Sequence, residues 1–292
     1  MTMKRREFIA TSALAAAGTF LLPSCIRNEG SIRAVGIQLY TVKDIINADV
    51  SGTLKSLSDI GFTELELWSY AEGKIFGMPY ADFAKETKNL GMKIISGHYD
   101  TGFSNPQQKG TLMNDWKRAV EDATKADQPY LVIGGLSDSE RDTLDNVKRT
   151  CELLNNSGEV CQAMGARLGY HNHSVEFTRI EDQLIYDVML QELDPKLVTM
   201  ELDLFWIING GHDPLEYFKK YPGRFELCHV KDMDKTDRNK NADVGSGSID
   251  FNTLFKEAET AGLKHFFLEQ ENFIVSPLES AENGFKYLER LM

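Results

Sequence analysis

Taken in chain order, the polar residues that close the short apolar runs of this sequence are Glu66, His98, His171 with His173, Asp203, His229 with Lys231, and Glu269 with Glu271. Imidazole, carboxylate and amine groups are the ones that bind divalent ions and move protons near neutral pH. Four of the six histidines fall at such positions; His212 and His265 do not. In Tyr170-His171-Asn172-His173, period-two geometry turns both histidines to one face of a strand and Asn172 away. Asp203 lies in the apolar run from Met200 to Trp206, and Glu269 follows Phe266-Phe267-Leu268. A buried carboxylate in such a setting costs several kcal/mol unless it is paired or metal-bound. Asp203, His229 and Glu269 close three successive strands and can converge on one divalent ion, with His171 the best-placed fourth ligand. Mixed imidazole and carboxylate ligation suits Mn2+, Zn2+, Co2+ or Fe2+ better than Ca2+. Mg2+ also stays open, and the residues do not choose among these metals.

Such residues need a scaffold that brings distant strand ends together. From Ala34 onward, β-rich runs alternate with amphipathic stretches, and eight such pairs can be counted. The strands read Val35 to Tyr40, Glu64 to Trp68, Lys93 to Gly97, Tyr130 to Gly134, Arg167 to His171, Val198 to Asp203, Phe225 to Val230, and His265 to Glu269. Gly61, Gly91, Gly165 and Gly262 stand where helices should end, and Asp213-Pro214 and Ser276-Pro277 where helices should begin. Strict alternation implies a parallel sheet. Eight units without a Gly-rich phosphate turn after the first strand favour a single-domain α/β fold, a (β/α)8 TIM barrel over residues 34–292. In that architecture reactive groups sit at the C-terminal strand ends, where the polar residues above fall.

The first 25 residues read differently. A basic start (Lys4, Arg5, Arg6) precedes an Ala-rich apolar run from Phe8 to Leu22 and then Pro23-Ser24-Cys25. This predicts an export signal over 1–25 and a short linker over 26–33, the apolar run being too short for a spanning helix. Arg5-Arg6-Glu7-Phe8 resembles a twin-arginine signal and Leu21 to Cys25 a lipobox, which makes the expected product a periplasmic lipoprotein held to the membrane only through Cys25. Cys151, Cys161 and Cys228 remain; the first two, ten residues apart on one helix, stand about 15 Å apart and cannot bridge each other. All three read as small core residues. A net charge of −12 repels nucleic acid, and removing the basic leader makes the remainder more acidic still.

Together, Gly36 to Val42, Tyr170-His171-Asn172-His173 with Glu176-Phe177, Glu201-Leu202-Asp203, His229-Val230-Lys231-Asp232, Val244 to Phe251 and Leu268-Glu269-Gln270-Glu271 resemble the xylose isomerase-like TIM-barrel superfamily. That group includes tagatose 3-epimerase, inosose dehydratase and the apurinic endonucleases. The resemblance implies one ion held from strands five to eight, with Asp203, His229 and Glu269 matching three positions. The isomerases and epimerases place a Glu at the first, where this chain has His171. Their two-glutamate mechanism is thereby weakened, and the His-rich strand five is similar to that of the inosose dehydratases. The endonuclease branch would need further histidines where Gly134, Trp206 and Asp232-Met233 stand.

Both remaining branches begin by removing a proton next to a carbonyl. Candidate catalytic residues are His173, Glu176, Lys231 and Glu269, with Lys231 facing the developing oxyanion. Glu66 and His98 are candidates for gripping substrate hydroxyls, and the aromatics Tyr40, Trp68, Tyr70, Phe103 and Trp206 for stacking on a sugar ring. The leading expectation is a metal-dependent isomerase or epimerase of an unphosphorylated sugar, since an exported enzyme would rarely meet sugar phosphates. The alternatives are a lyase or dehydratase of a 3-keto sugar or glycoside, and a non-catalytic carbohydrate-binding lipoprotein.

Overall fold

The chain returns eight times to one parallel sheet, and the last strand closes on the first. A computed structural model describes residues 34–292; the expected export signal, lipobox and linker fall outside the described residues. The strands are β1 Gly36–Gln38, β2 Glu64–Leu67, β3 Lys93–Tyr99, β4 Tyr130–Ile133, β5 Arg167–His171, β6 Val198–Asp203, β7 Phe225–Val230 and β8 His265–Leu268. Each pairs in parallel with its sequence neighbours, and β8 pairs with β1. Two ends differ from expectation. β1 stops at Gln38, whose side-chain oxygen accepts the Tyr40 N–H at 3.0 Å and turns Leu39–Val42 into a 3-10 helix. β3 runs on to Tyr99, so His98 lies within the strand rather than beyond it.

The main outer helices are α1 Val50–Ile60, α2 Tyr80–Asn89, α3 Trp116–Lys125, α4 Leu144–Ala163, α5 Ile185–Glu192, α6 Pro214–Lys220, α7 Phe251–Lys256 and α8 Pro277–Leu291. Asp213 and Ser276 cap α6 and α8 ahead of their first-turn prolines, satisfying N–H groups that have no partner inside the helix. No helix among the described residues is long and apolar enough to cross a membrane.

Most apolar side chains pack between the sheet and the helices. A separate cluster of Ile95, Tyr130, Val132, Leu227 and Phe267 fills the lower barrel. Gly36 makes room for it, because a Cβ there would lie 2.6 Å from the Phe267 ring. Cys151, Cys161 and Cys228 are buried and free, as the sequence predicts.

Candidate active site at the barrel mouth

Above the Phe267 layer the barrel interior turns polar, in two tiers. The lower tier holds Gln38, Glu66, Ser96, His98 and Glu201. Glu66 is level with Gln38 and Ser96, whereas Glu201 pairs in register with His171 and joins the lower tier through its side-chain contact with His98. The sheet register slips by one residue between Leu65 and Glu66 against β3, and between Met200 and Glu201 against β7. Irregularities of this kind re-aim side chains near functional sites. Gln38 Nε2 donates to Glu66 Oε1 at 2.8 Å, and the Ser96 hydroxyl donates to Glu66 Oε2. His98 Nε2 lies 2.9 Å from Glu201 Oε2 and 3.3 Å from Glu66 Oε1.

The upper tier holds His171, Asp203, His229, Lys231 and Glu269. His229 Nδ1 stands 2.8 Å from Glu269 Oε2 and 3.8 Å from Asp203 Oδ2. Lys231 Nζ reaches Glu269 Oε2 at 2.7 Å, Glu271 Oε1 at 2.6 Å and Asp203 Oδ2 at 3.2 Å. Asp203 divides its carboxylate. Oδ1 accepts the Trp206 N–H at 2.8 Å and so caps the short helix Leu204–Asn209, while buried Oδ2 is met by the Lys231 ammonium at 3.2 Å. Buried Glu201 Oε1 has no hydrogen-bond partner, and an unsatisfied buried carboxylate oxygen calls for a cation. Asp203, His229 and Glu269 each present one donor atom, all within 4.8 Å of one another, and a second group of that kind joins His98, His171, Glu201 and His229. The residues present therefore fit a divalent ion.

Burial works against every charge here, and neighbours decide the outcome. At His229 the carboxylates of Glu201, Glu269 and Glu66 overcome burial and hold the imidazole well above its ordinary pKa. At His98, Glu66 and Glu201 do the same, to about 10. Burial with the nearby imidazoles of His229 and His98 pushes His171 well below its ordinary value. Burial and the Lys231 charge push His173 down to about 4, which leaves a neutral imidazole at neutral pH. Burial disfavours the Lys231 ammonium, yet Asp203, Glu269 and Glu271 raise its pKa. Glu269 is driven down, since Lys231 and His229 outweigh its burial.

The mouth cavity, about 190 Å3, is lined by Tyr40, Trp68, His98, His171, His173, Trp206, Lys231, Glu269 and Glu271 among others. A side arm of about 220 Å3 extends past Tyr70, Asp100 and Gln108, sharing Tyr40, Trp68 and His98 with it. A larger groove, about 690 Å3, lies against α4 and carries no converging catalytic groups. Trp68 packs edge-on against Tyr40 at 5.2 Å, and the His173 ring lies 5.5 Å from Trp206.

The sequence-predicted residues thus divide. His98, His171, His173, Lys231, Glu269, Trp68 and Trp206 share the mouth, and Asp203 and His229 lie fully buried beside it. His173 reaches the mouth by another route than the one expected: β5 ends at His171, and His173 caps the 3-10 turn Ser174–Phe177, its ring 5.0 Å from that of His171. Two assignments need correction. Glu176 does not line the cavity; its carboxylate accepts the Tyr170 hydroxyl at 2.7 Å and the His173 N–H at 2.8 Å, inside the turn. Glu66 does not line it either, being fully buried in the lower tier and so out of reach of substrate hydroxyls. Among the aromatics, Phe103 is exposed and off the cavity lining. The residue that sequence reasoning missed is Glu201, although its place two before Asp203 on one strand marks it for the same inner face. His212 and His265 stay outside the site, one packed on Phe177, the other paired with Glu64 at 2.8 Å.

Comparison with known proteins agrees with this architecture. The model of the xylose isomerase-like TIM barrel family matches residues 54–291. An inosose dehydratase of Geobacillus kaustophilus (strain HTA426) is 26% identical over 202 residues, 63% of this chain. The chain spans 60% of that relative's length. A sugar phosphate isomerase/epimerase from Parabacteroides distasonis ATCC 8503 superposes with a TM-score of 0.76 at 30% identity, covering 88% of this chain and 98% of its own. A barrel called IOLI, solved with a bound zinc atom, superposes with a TM-score of 0.68 over 89% of this chain and 98% of its own; at 13% identity it speaks for the fold alone. With its closed eight-stranded parallel sheet and its match over 54–291, the chain belongs to the xylose isomerase-like TIM barrel family.

Proposed function

We propose that this protein is a metal-assisted dehydratase-type lyase acting on an unphosphorylated keto sugar or keto glycoside. The observation that carries the reading is which groups face the cavity. Three imidazoles, His98, His171 and His173, and one ammonium, Lys231, face it, whereas the strand-five glutamate that a two-glutamate isomerase uses is missing: His171 stands in that place, and Glu176 is locked under Tyr170. The names of the curated relatives support it. Among the lining residues Lys231 is the sole ammonium or guanidinium, already matched by three carboxylates, which leaves little to hold a phosphate. The export reading of residues 1–25, with Cys25 as lipid anchor, belongs to the same proposal; membrane fractionation of a Cys25→Ser variant tests it.

Asp203, His229 and Glu269 would hold the ion with His171 beside them, and a divalent ion there would supply Lewis-acid polarisation of a carbonyl. His173 takes the proton α to the carbonyl, and Lys231 donates a hydrogen bond to the oxygen as charge grows on it. The electron pair then expels the oxygen substituent on the β carbon, which takes the proton back from His173 and leaves as water from a keto sugar or as the aglycone alcohol from a keto glycoside. Trp68, Tyr40 and Trp206 wall the sugar ring.

A second reading, isomerisation or epimerisation, draws on Glu269, which lines the same cavity and offers a second acid–base group. Incubating the metal-loaded protein with a 3-keto-glucoside in D2O separates the two. Deuterium next to the carbonyl together with enone absorbance is expected. Exchange without enone shifts the assignment to isomerase, and absence of exchange overturns both readings in favour of a binding protein. His173→Asn should slow exchange about 10²- to 10⁴-fold.

A further inference from the structure

His171 and His229 each present one ring nitrogen to the upper tier and the other to a buried carboxylate below. His229 Nδ1 faces Glu269 and Asp203, while Nε2 contacts Glu66 Oε1 closely and lies 3.3 Å from Glu201 Oε2. His171 Nε2 stands 4.0 Å from Asp203 Oδ2, while Nδ1 lies 3.2 Å from Glu201 Oε2. An ionised carboxylate only accepts hydrogen bonds, so the imidazole nitrogen against it must carry the hydrogen. At His171 the other nitrogen of the neutral ring then bears the lone pair; His229, flanked by carboxylates at both nitrogens, keeps its Nε2 hydrogen against Glu66 and gives up its Nδ1 hydrogen where a cation takes that place. We infer that Glu66 and Glu201 are positioning residues that hold His229 and His171 in the tautomers whose upper nitrogens offer lone pairs to a divalent cation beside Asp203. This inference rests on the metal reading proposed above.

The lower tier is built for that task. Glu66 is fixed by Gln38 and Ser96, and Glu201 by His98. Both carboxylates are fully buried and absent from the cavity lining, so neither meets substrate. Both sit where the sheet register slips, an irregularity that re-aims side chains. Partners of this kind fix ring orientation and raise ligand basicity, and losing one lowers metal affinity about 10- to 100-fold.

The test uses Co2+ with the full barrel chain, reading stoichiometry, dissociation constant by chelator competition and visible absorption bands. One Co2+ per wild-type chain is expected. Glu66→Gln and Glu201→Gln should each weaken binding about 10- to 100-fold while keeping the band positions, because the atoms touching the ion are unchanged. Asp203→Asn should shift the bands. If Glu66→Gln does not fold, Ser96→Ala, which loosens Glu66, should weaken binding in the same direction. Unchanged affinity with a lowered melting temperature would show a purely structural role and overturn the inference. It is equally overturned if Asp203→Asn keeps a Co2+ that Glu201→Gln loses, since the lower tier would then bind the ion itself. A wild-type chain that binds no Co2+ sinks the metal reading along with it.

Discussion

Lys231 Nζ lies 2.7 Å from Glu269 Oε2, so the ends of the last two strands are joined by a buried ion pair in the middle of the candidate site. Asp203 and Glu271 share the same ammonium. One cation thus balances much of the negative charge at the mouth, and removing it leaves carboxylates facing one another in a poorly hydrated space.

Lys231→Met should therefore destabilise the protein by about 3–5 kcal/mol, the usual cost of orphaning one side of a buried pair. Urea denaturation in the presence of a chelator measures it. Adding a divalent ion should restore part of the loss. A variant with the wild-type midpoint would show that the ammonium is not structurally required.

At the opposite end of the barrel, Glu226 accepts hydrogen bonds from Tyr130 at 2.8 Å, Arg167 at 2.6 Å and Lys264 at 2.8 Å. Burial opposes its charge, but Lys264, Tyr130 and Arg167 prevail and hold the carboxyl below its ordinary range. A folded value below the unfolded one means stability that is complete above the unfolded glutamate value of about 4.3 and lost as pH falls through the folded value. The melting-temperature gap between wild type and Glu226→Gln should be widest near neutrality and close as the solution is acidified below that point. A gap that stays constant with pH would contradict this.

Gly36→Ala tests the packing of the lower barrel. Its Cβ would press on the Phe267 ring, 2.6 Å from the nearest ring atom. Overpacking of this kind costs about 1–3 kcal/mol. Adding Phe267→Leu should recover part of the cost, so the pair should be less destabilising than the sum of the singles. Strict additivity would mean that the backbone yields instead.

The strands and their order were legible because period and punctuation are local. Six of the eight strands end within a residue of their expected ends, and the exceptions have local causes: the Gln38 side chain stops β1, and β3 continues through His98. Depth along the barrel axis was not legible. Glu66 and Asp203 both read as strand-end acids, yet Glu66 is fully buried against His229 Nε2, next to a register slip, and Asp203 lies beside the mouth. Glu176 misled for another reason. It stood among the candidate bases, but the 3-10 turn folds its carboxylate back onto the His173 N–H. Neither a turn's closure nor a slip between strands distant in sequence leaves a periodic trace.

The strand extension after β7 assigns adjacent residues to separate tasks. Lys231 points into the site, whereas Asp232 gathers backbone N–H groups from Met233, Gly245, Gly247 and Ile249 around one carboxylate. The segment between those anchor points is a loop whose two ends are stapled to the strand by a single side chain. Such an arrangement lets the intervening stretch be lengthened, shortened or replaced without moving the lysine next door. The rim above β7 is thus a natural place to graft new specificity onto an unchanged catalytic floor.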